Sequence, residues 1–209
     1  MEISYSQGKQ NKIHVSVDGE YMFTVDAEYW YTCPYCRVKE ITDSAECDKF
    51  FTEIGSRYAF ISGLRFLSYS DNSRKELKLK LLNKGHKPQY VERALDNLEE
   101  YGYINDVRFA RNKADFLIRR KHMSKNGIKS ELLRHGVSSD IIGEVLEELE
   151  LDPVEDIAAL LSTKYKRYLN DEKGIRKTVA GLQRLGYGWS DIKTALDRYS
   201  PDTEDNYCD

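Results

Sequence analysis

The sequence predicts a mainly α-helical protein, built as three tandem three-helix repeats preceded by a small N-terminal β-hairpin region. Three observations predict it. Apolar residues alternate with a period of two near the N-terminus and recur at about 3.6 from Asp43 onward. A glycine-centred pattern then returns about every fifty residues. Only 4 Pro and 13 Gly interrupt 209 residues, which leaves room for long helices.

The hairpin comes first, in region 1–42. Ile13, Val15 and Val17 alternate with His14 and Ser16, Asp18-Gly19 follows, and Tyr21, Phe23 and Val25 alternate in turn. Alternation on both sides of Asp-Gly marks a tight hairpin, because both central turn positions need positive φ. Tyr29, Trp30 and Tyr31 follow. A lone hairpin is marginal in water, so these rings are expected to pack it onto the rest of the chain.

Cys33-Pro34-Tyr35-Cys36 looks like the active-site motif of the glutaredoxins, where a helix start lowers a thiol pKa. That fold needs alternating strands and helices and a later proline beside the thiols. The remaining prolines, Pro88, Pro153 and Pro201, sit at helix starts or in the tail. A zinc site would need Cys33, Cys36, Cys47 and a fourth ligand such as His14. An incidental pair of thiols is the simpler expectation, and Cys208 is too remote to complete a disulfide framework.

The repeats follow. Gly85, Gly136 and Gly186 align, 51 and 50 residues apart. Four residues before each stands Leu81, Leu132 or Leu182, and six after each stands Val91, Ile142 or Ile192. Ten after each is Leu95, Leu146 or Leu196. A helix ending at a left-handed glycine, a short turn and a second helix would set these side chains face to face. The second helix of each pair is expected to begin at Pro88, at Ser138 or Ser139, and at Ser190. A further helix precedes each pair, over about 57–68, 106–122 and 153–169, the last capped by Asp152. Capping boxes at Ser73–Glu76 and Asp43–Glu46 start two helices, the second being a separate lead-in helix over about 44–54. The expected organisation is 43–104, 105–151 and 152–199 for the three repeats, with an acidic tail over 200–209.

Charge is divided unevenly. The net charge is only −3, yet between Arg108 and Gly136 nine Lys/Arg face two Asp/Glu, while Val137–Asp156 holds eight acids and no Lys/Arg. Arg108, Arg111, Lys113, Arg119, Arg120 and Lys121 fall on the first helix of the middle repeat, and Lys125, Lys129 and Arg134 on the next. Arg119-Arg120-Lys121 is too dense for its local acids, Asp106 and Asp115, to neutralise. This basic face is expected to meet a negatively charged partner. The plainer alternative is pairing with the acidic helix after Gly136.

Ser73-Arg74-Lys75-Glu76-Leu77, then Gly102-Tyr103-Ile104-Asn105-Asp106 with Arg108-Phe109-Ala110, then Gly127-Ile128, Glu131-Leu132 and Gly136-Val137 make an ordered set. In that order and spacing the chain resembles the RecX regulatory proteins of bacteria. The resemblance covers about residues 57–199, is specific within 73–137, and extends more weakly to the hairpin. It implies a non-enzymatic modulator of the RecA recombinase; separately, no cofactor or metal is expected. Such a protein is a curved string of three-helix repeats that binds in the groove of the RecA–DNA filament. It typically limits filament extension, ATP hydrolysis, strand exchange and coprotease activity, and so homologous recombination, DNA repair and the SOS response. Most of the motif reads as architecture. Glu76 is expected to partner the Ser73 cap, Arg74 to be an exposed charge, Gly102 to stop a helix, Tyr103 to cover that turn, and Asp106 to cap the next helix, with Phe109 and Ala110 inward.

Other function classes fit less well. A helix-turn-helix regulator acting without RecA would lay residues 88–101, 139–150 and 190–199 in the major groove. Those windows hold 11 Asp/Glu against 3 Lys/Arg, which DNA phosphates would repel. Weak contact with single- or double-stranded DNA through the middle repeat stays compatible. There is no Walker A, GxGxxG or HExxH string, and His14, His86, His122 and His135 lack metal-ligand spacing and are expected at the surface. No stretch approaches the ~18 apolar residues of a membrane span, and the N-terminus lacks a signal-peptide pattern. A cytoplasmic monomer is expected.

Overall fold

The computed structural model describes residues 1–199; the acidic tail expected over 200–209, with Cys208, lies outside them. The chain divides into two compact units, Met1–Asn105 and a second beginning at Asp106.

In the first unit, β1 (Ile3–Gln7), β2 (Lys12–Val17) and β3 (Glu20–Asp26) form an antiparallel sheet in that order. Asp18 at φ 50° and Gly19 at φ 83° make the expected tight turn. Ile13, Val15, Val17, Phe23 and Val25 face the core, but a register shift after Val15 turns Tyr21 out to solvent. Strand β1 was not expected. Only Ile3 of its five residues is buried, so its sequence carries no alternation to read.

Asp26 ends the sheet and caps α1 (Ala27–Thr32), accepting from the Tyr29 N–H at 2.9 Å. Trp30 on this helix is fully buried and Tyr31 is exposed. The Cys-Pro-Tyr-Cys string lies on a 3-10 turn over Pro34–Arg37, not at the start of an α-helix. Burial raises the Cys33 thiol above its usual pKa, opposite to what a redox nucleophile needs. Among the described residues no group of His, Cys, Asp and Glu could hold a metal ion.

Next come α2 (Ser44–Leu67), α3 (Arg74–Asn83) and α4 (Pro88–Glu100). The expected lead-in helix and first repeat helix are one continuous helix, α2, capped by Asp43. Gly55 does not break it. Its missing side chain admits the Tyr90 ring, whose nearest atom would lie 2.6 Å from a Cβ. Gly63 admits Leu98 Cδ1 at the same distance. Leu77, Leu81, Val91 and Leu95 are completely buried where α3 and α4 close on α2.

Ser73 and Glu76 form the expected capping box. Arg74, expected as an exposed charge, is instead clamped by three acids of α4: Asp96 at 2.6 Å, Glu99 at 2.7 Å and Glu92 at 3.4 Å. His86 is another departure. It is only 8% exposed, stacked edgewise on Tyr58 and hydrogen-bonded to Ser62 Oγ at 3.0 Å. Burial first, then the Lys84 charge, push its pKa down to about 4.

Gly102 turns the chain at φ 74° into the second unit. Tyr103 stays half exposed with its edge toward Phe60, so it covers the turn only in part. Helix α5 (Asp106–Phe116) begins at Asp106 itself. Asp106 is therefore the acidic residue of the first turn rather than the flanking cap. The helix widens into a π-turn over Leu117–Lys121 and stops at His122 in the left-handed conformation, φ 54°. Then come α6 (Lys125–Arg134) capped by Ser124, α7 (Ser139–Glu147) capped by Ser138, and α8 (Pro153–Ser162) capped by Asp152. The last pair is α9 (Glu172–Arg184) capped by Asp171, and α10 (Trp189–Arg198).

Two expected boundaries shift. Helix α8 stops at Ser162, not near Leu169, because the Ser162 and Thr163 hydroxyls turn back to the Ala159 carbonyl. A 3-10 turn over Lys166–Tyr168 follows. Gly188, not Ser190, occupies the cap position of α10.

Phe109, Ala110, Leu132 and Ile142 fill the core of the middle repeat, and Leu161, Leu182, Tyr187 and Ile192 that of the last. The two repeats meet backbone to backbone. Ser124 N–H donates to the Leu185 carbonyl at 3.0 Å, and Tyr187 hydroxyl donates to the His122 carbonyl at 3.2 Å. Gly127 and Gly186 touch, and a Cβ on Gly127 would overlap the Leu185 carbonyl oxygen.

Two outcomes test this packing. Gly127→Ala forces α6 off the Leu185 turn and is expected to cost about 1–3 kcal/mol. Gly143→Ala, on α7 where a Cβ meets open space, is expected to stabilise by about 0.5–1 kcal/mol. Urea denaturation of both variants checks the pair; equal effects would refute the contact. For His86, the folded pKa lies below the unfolded value near 6.5. Its neutral form therefore stabilises fully above pH 6.5, and that contribution, on the order of 2–3 kcal/mol, is lost as pH falls toward 4. His86→Gln should flatten the pH profile of first-unit stability over that window, read from amide exchange in α2. Parallel profiles would contradict the assignment.

Candidate functional site

The basic residues of the second unit arise from three local features. Arg119, Arg120 and Lys121 sit on the π-turn that ends the α5 segment, where exposed carbonyls favour cations. Lys125, Lys129 and Arg134 run along α6, whose other face carries the buried Ile128 and Leu132. Arg108, Arg111 and Lys113 lie on α5 around its buried residues Phe109, Ala110 and Ala114.

The ion pairs separate these cations. Arg111 reaches the acidic stretch after Gly136: its Nε lies 3.0 Å from Glu148, and a second nitrogen reaches the same carboxylate. Here the plainer expectation holds. Arg119 pairs with Asp115 at 2.6 Å along its own helix. Arg134 pairs with Glu131. That hydrogen bond, helped by the charges of Arg134, His135 and Lys113, keeps the Glu131 carboxyl below its usual pKa although burial opposes it. Arg108 is exposed and Lys113 is half buried. Arg120, Lys121, Lys125 and Lys129 form no ion pair among the described residues, and all but Lys125 are exposed.

The first repeat treats its charges differently. Its basic helix α3 is drawn onto acidic α4, with Arg74 on Glu92, Asp96 and Glu99, and Lys78 also on Glu92. The middle repeat has the same basic-then-acidic order, and there Arg111 crosses to the acidic side while Arg120, Lys121, Lys125 and Lys129 do not. Its positive potential is left toward solvent.

The last repeat adds cations that sequence reasoning missed. Lys164, Lys166, Arg167, Lys173, Arg176, Lys177 and Arg184 stand against only Asp171 and Glu172. Asp171 is occupied in capping α9, and Glu172 pairs with Arg176. The Arg167 guanidinium lies 4.9 Å from the Tyr168 ring centre, and Lys164 lies 5.3 Å from that of Tyr165. The charge count that flags 108–136 would flag 164–184 as well. The turn of α9 sits on the start of α6, so both basic stretches belong to one folded unit.

Five of the motif residues lie in the core or at turns and backbone contacts. Leu77 and Leu132 are fully buried, Gly102 and Gly136 take positive φ, and Gly127 is a backbone contact. None of them presents a reactive group. Among the described residues no helix is long and apolar enough to cross a membrane.

Two family models match. "RecX, first three-helix domain" covers residues 59–98, and "RecX, second three-helix domain" covers residues 105–146. Regulatory protein RecX of Caldanaerobacter subterraneus subsp. tengcongensis is 31% identical, over 90% of this chain and 93% of its own length. Regulatory protein RecX of Clostridium tetani is also 31% identical, over 77% of this chain and 73% of its own. The fold is similar to a crystal structure of regulatory protein RecX, with a TM-score of 0.68 at 20% identity, covering 94% of this chain and 98% of that one. A second, RecX from Lactobacillus salivarius, gives a TM-score of 0.58 at 21% identity over 69% and 96%. Together with the repeat architecture, these matches show that the chain belongs to the RecX family of regulatory proteins.

Proposed function

We propose that this protein binds RecA filaments and inhibits their recombinase and coprotease activities, in DNA repair and the SOS response. It acts as a cytoplasmic monomer, by occupancy rather than catalysis, and uses no cofactor. The observation that carries the reading is the set of cations left unpaired on the second unit, Arg120, Lys121, Lys125 and Lys129, in a chain of this family. Arg108, Lys113, Arg119 and Arg134 flank them, as do the basic residues of α9. The repeats lie along the filament groove, span neighbouring RecA protomers and block incoming DNA. Division into the three repeats, 43–104, 105–151 and 152–199, gives each one step of that contact, with the hairpin region 1–42 preceding them.

The second reading is a helical-repeat DNA-binding regulator acting without RecA. The acidic character of α4 and α7 disfavours major-groove docking by those helices. Weak, salt-sensitive contact with DNA phosphate through the basic face is compatible with both readings.

The test is single-strand-DNA-dependent ATP hydrolysis by RecA, titrated with this protein at two salt concentrations. Inhibition is expected at well below one molecule per RecA. Arg120→Glu with Lys121→Glu should raise the amount required at least tenfold with the fold intact. Arg111→Glu should change it far less, since Arg111 is already engaged by Glu148. No inhibition and no sedimentation with assembled filaments would reject the proposal, and equal effects of the two variants would remove the basic face from it.

A further inference from the structure

A second concentration of positive charge lies in the first unit. A pocket of about 230 Å³ opens between the hairpin and α2. Three cations from three elements line it: Lys12 at the start of β2, Arg65 in the last turn of α2, and Lys84 just after α3. None of the three forms an ion pair among the described residues.

One carboxylate lines the same pocket. Asp26 stands opposite Lys12 in the β2–β3 ladder, but both its oxygens are taken. Arg57 Nε donates to one at 2.8 Å, and the Tyr29 N–H donates to the other at 2.9 Å. The lining therefore keeps a net positive charge. Thr24, Tyr58 and Ser62 also line it, with the Thr24 hydroxyl engaged by His14 and Tyr21 and the Ser62 hydroxyl by Lys84 and His86.

Lys84 shows how the cations are held. Its ammonium donates to Ser62 Oγ at 2.9 Å and lies 5.7 Å from the Phe66 ring centre. Burial first, then repulsion from Arg65 and Lys12, lower its pKa. Mutual repulsion of this kind destabilises the empty pocket, and an anion placed among the three cations relieves it. Donors from three separate elements can serve the several acceptor oxygens of a tetrahedral oxyanion, and the Arg65 guanidinium fork can hold two of them at once.

We propose that this pocket binds a phosphate group, held by Lys12, Arg65 and Lys84 with Thr24 at its wall. The phosphate belongs either to a free nucleotide or to a nucleic-acid strand. The site goes beyond the proposed filament contact and shares no residue with it, so either can fail alone.

Amide and Arg Nε–H NMR of the full chain, titrated with pyrophosphate, ADP or a ten-nucleotide oligothymidylate at fixed ionic strength, tests it. Saturable shifts are expected at Lys12, Thr24 and Arg65. Lys12→Met with Arg65→Met should weaken them at least tenfold, with amide signals of α2 and α4 otherwise unmoved. Lys84→Met, which keeps the apolar stem over Phe66, should weaken them independently. Saturation by ADP and pyrophosphate alone assigns a free nucleotide; saturation by the oligonucleotide alone assigns a strand. Absence of saturable shifts with all three probes, or unchanged shifts in the double variant, overturns the proposal.

Discussion

At Gly85, Gly136 and Gly186 the backbone turns through the left-handed region, at φ 93°, 82° and 90°. Side chains resist that conformation, and glycine adopts it without steric cost. The turn folds one helix back toward the next and brings Leu81 near Val91, Leu132 near Ile142, and Leu182 near Ile192, all buried to within 1%. Each such burial is worth about 2 kcal/mol. Everything else in the repeats is arranged around that closure, including the caps at Ser124, Ser138 and Asp171. The glycine at the last closure does further work, since Gly186 also contacts Gly127 and joins the middle repeat to the last.

A second constraint shapes the surface. In the first repeat, acids on α4 draw in the cations of α3, and Arg74 is held by three carboxylates at once. In the middle repeat the acids of α7 and the stretch after it engage Arg111, while Arg120, Lys121, Lys125 and Lys129 stay unpaired among the described residues. A fold needs no such imbalance, and solvated charges of one sign repel each other. The imbalance is what an anionic partner would exploit, and it distinguishes the middle repeat from the first although both are built alike.

Sequence patterns made the repeat legible because each signal is local. A glycine at a helix end, a serine or aspartate before the next, and a leucine four residues back act within one turn of backbone. The hairpin was legible for the same reason, through Asp18-Gly19. What escaped reading depends on tertiary contact. The lead-in helix expected over 44–54 and the next over 57–68 are one helix, and Tyr90 packed against Gly55 accounts for the absence of a break there. Strand β1 pairs along an edge with one buried residue. His86 is buried by Tyr58 and Ser62, 28 and 24 positions away. For the basic face, the cations were countable from sequence, but their division into paired and unpaired needed the geometry of Glu148 and Asp115. The basic stretch over 164–184 was countable too, and was obscured by the tyrosines and glycines between its charges.

Hydrogen–deuterium exchange of this protein, alone and on RecA–single-stranded DNA filaments, tests the central claim most directly. The account predicts that filament binding slows exchange over the π-turn and α6, residues 117–134, and over 164–177, with α4 and α7 unchanged. Protection confined to α4, α7 and α10, or no protection anywhere, would contradict it.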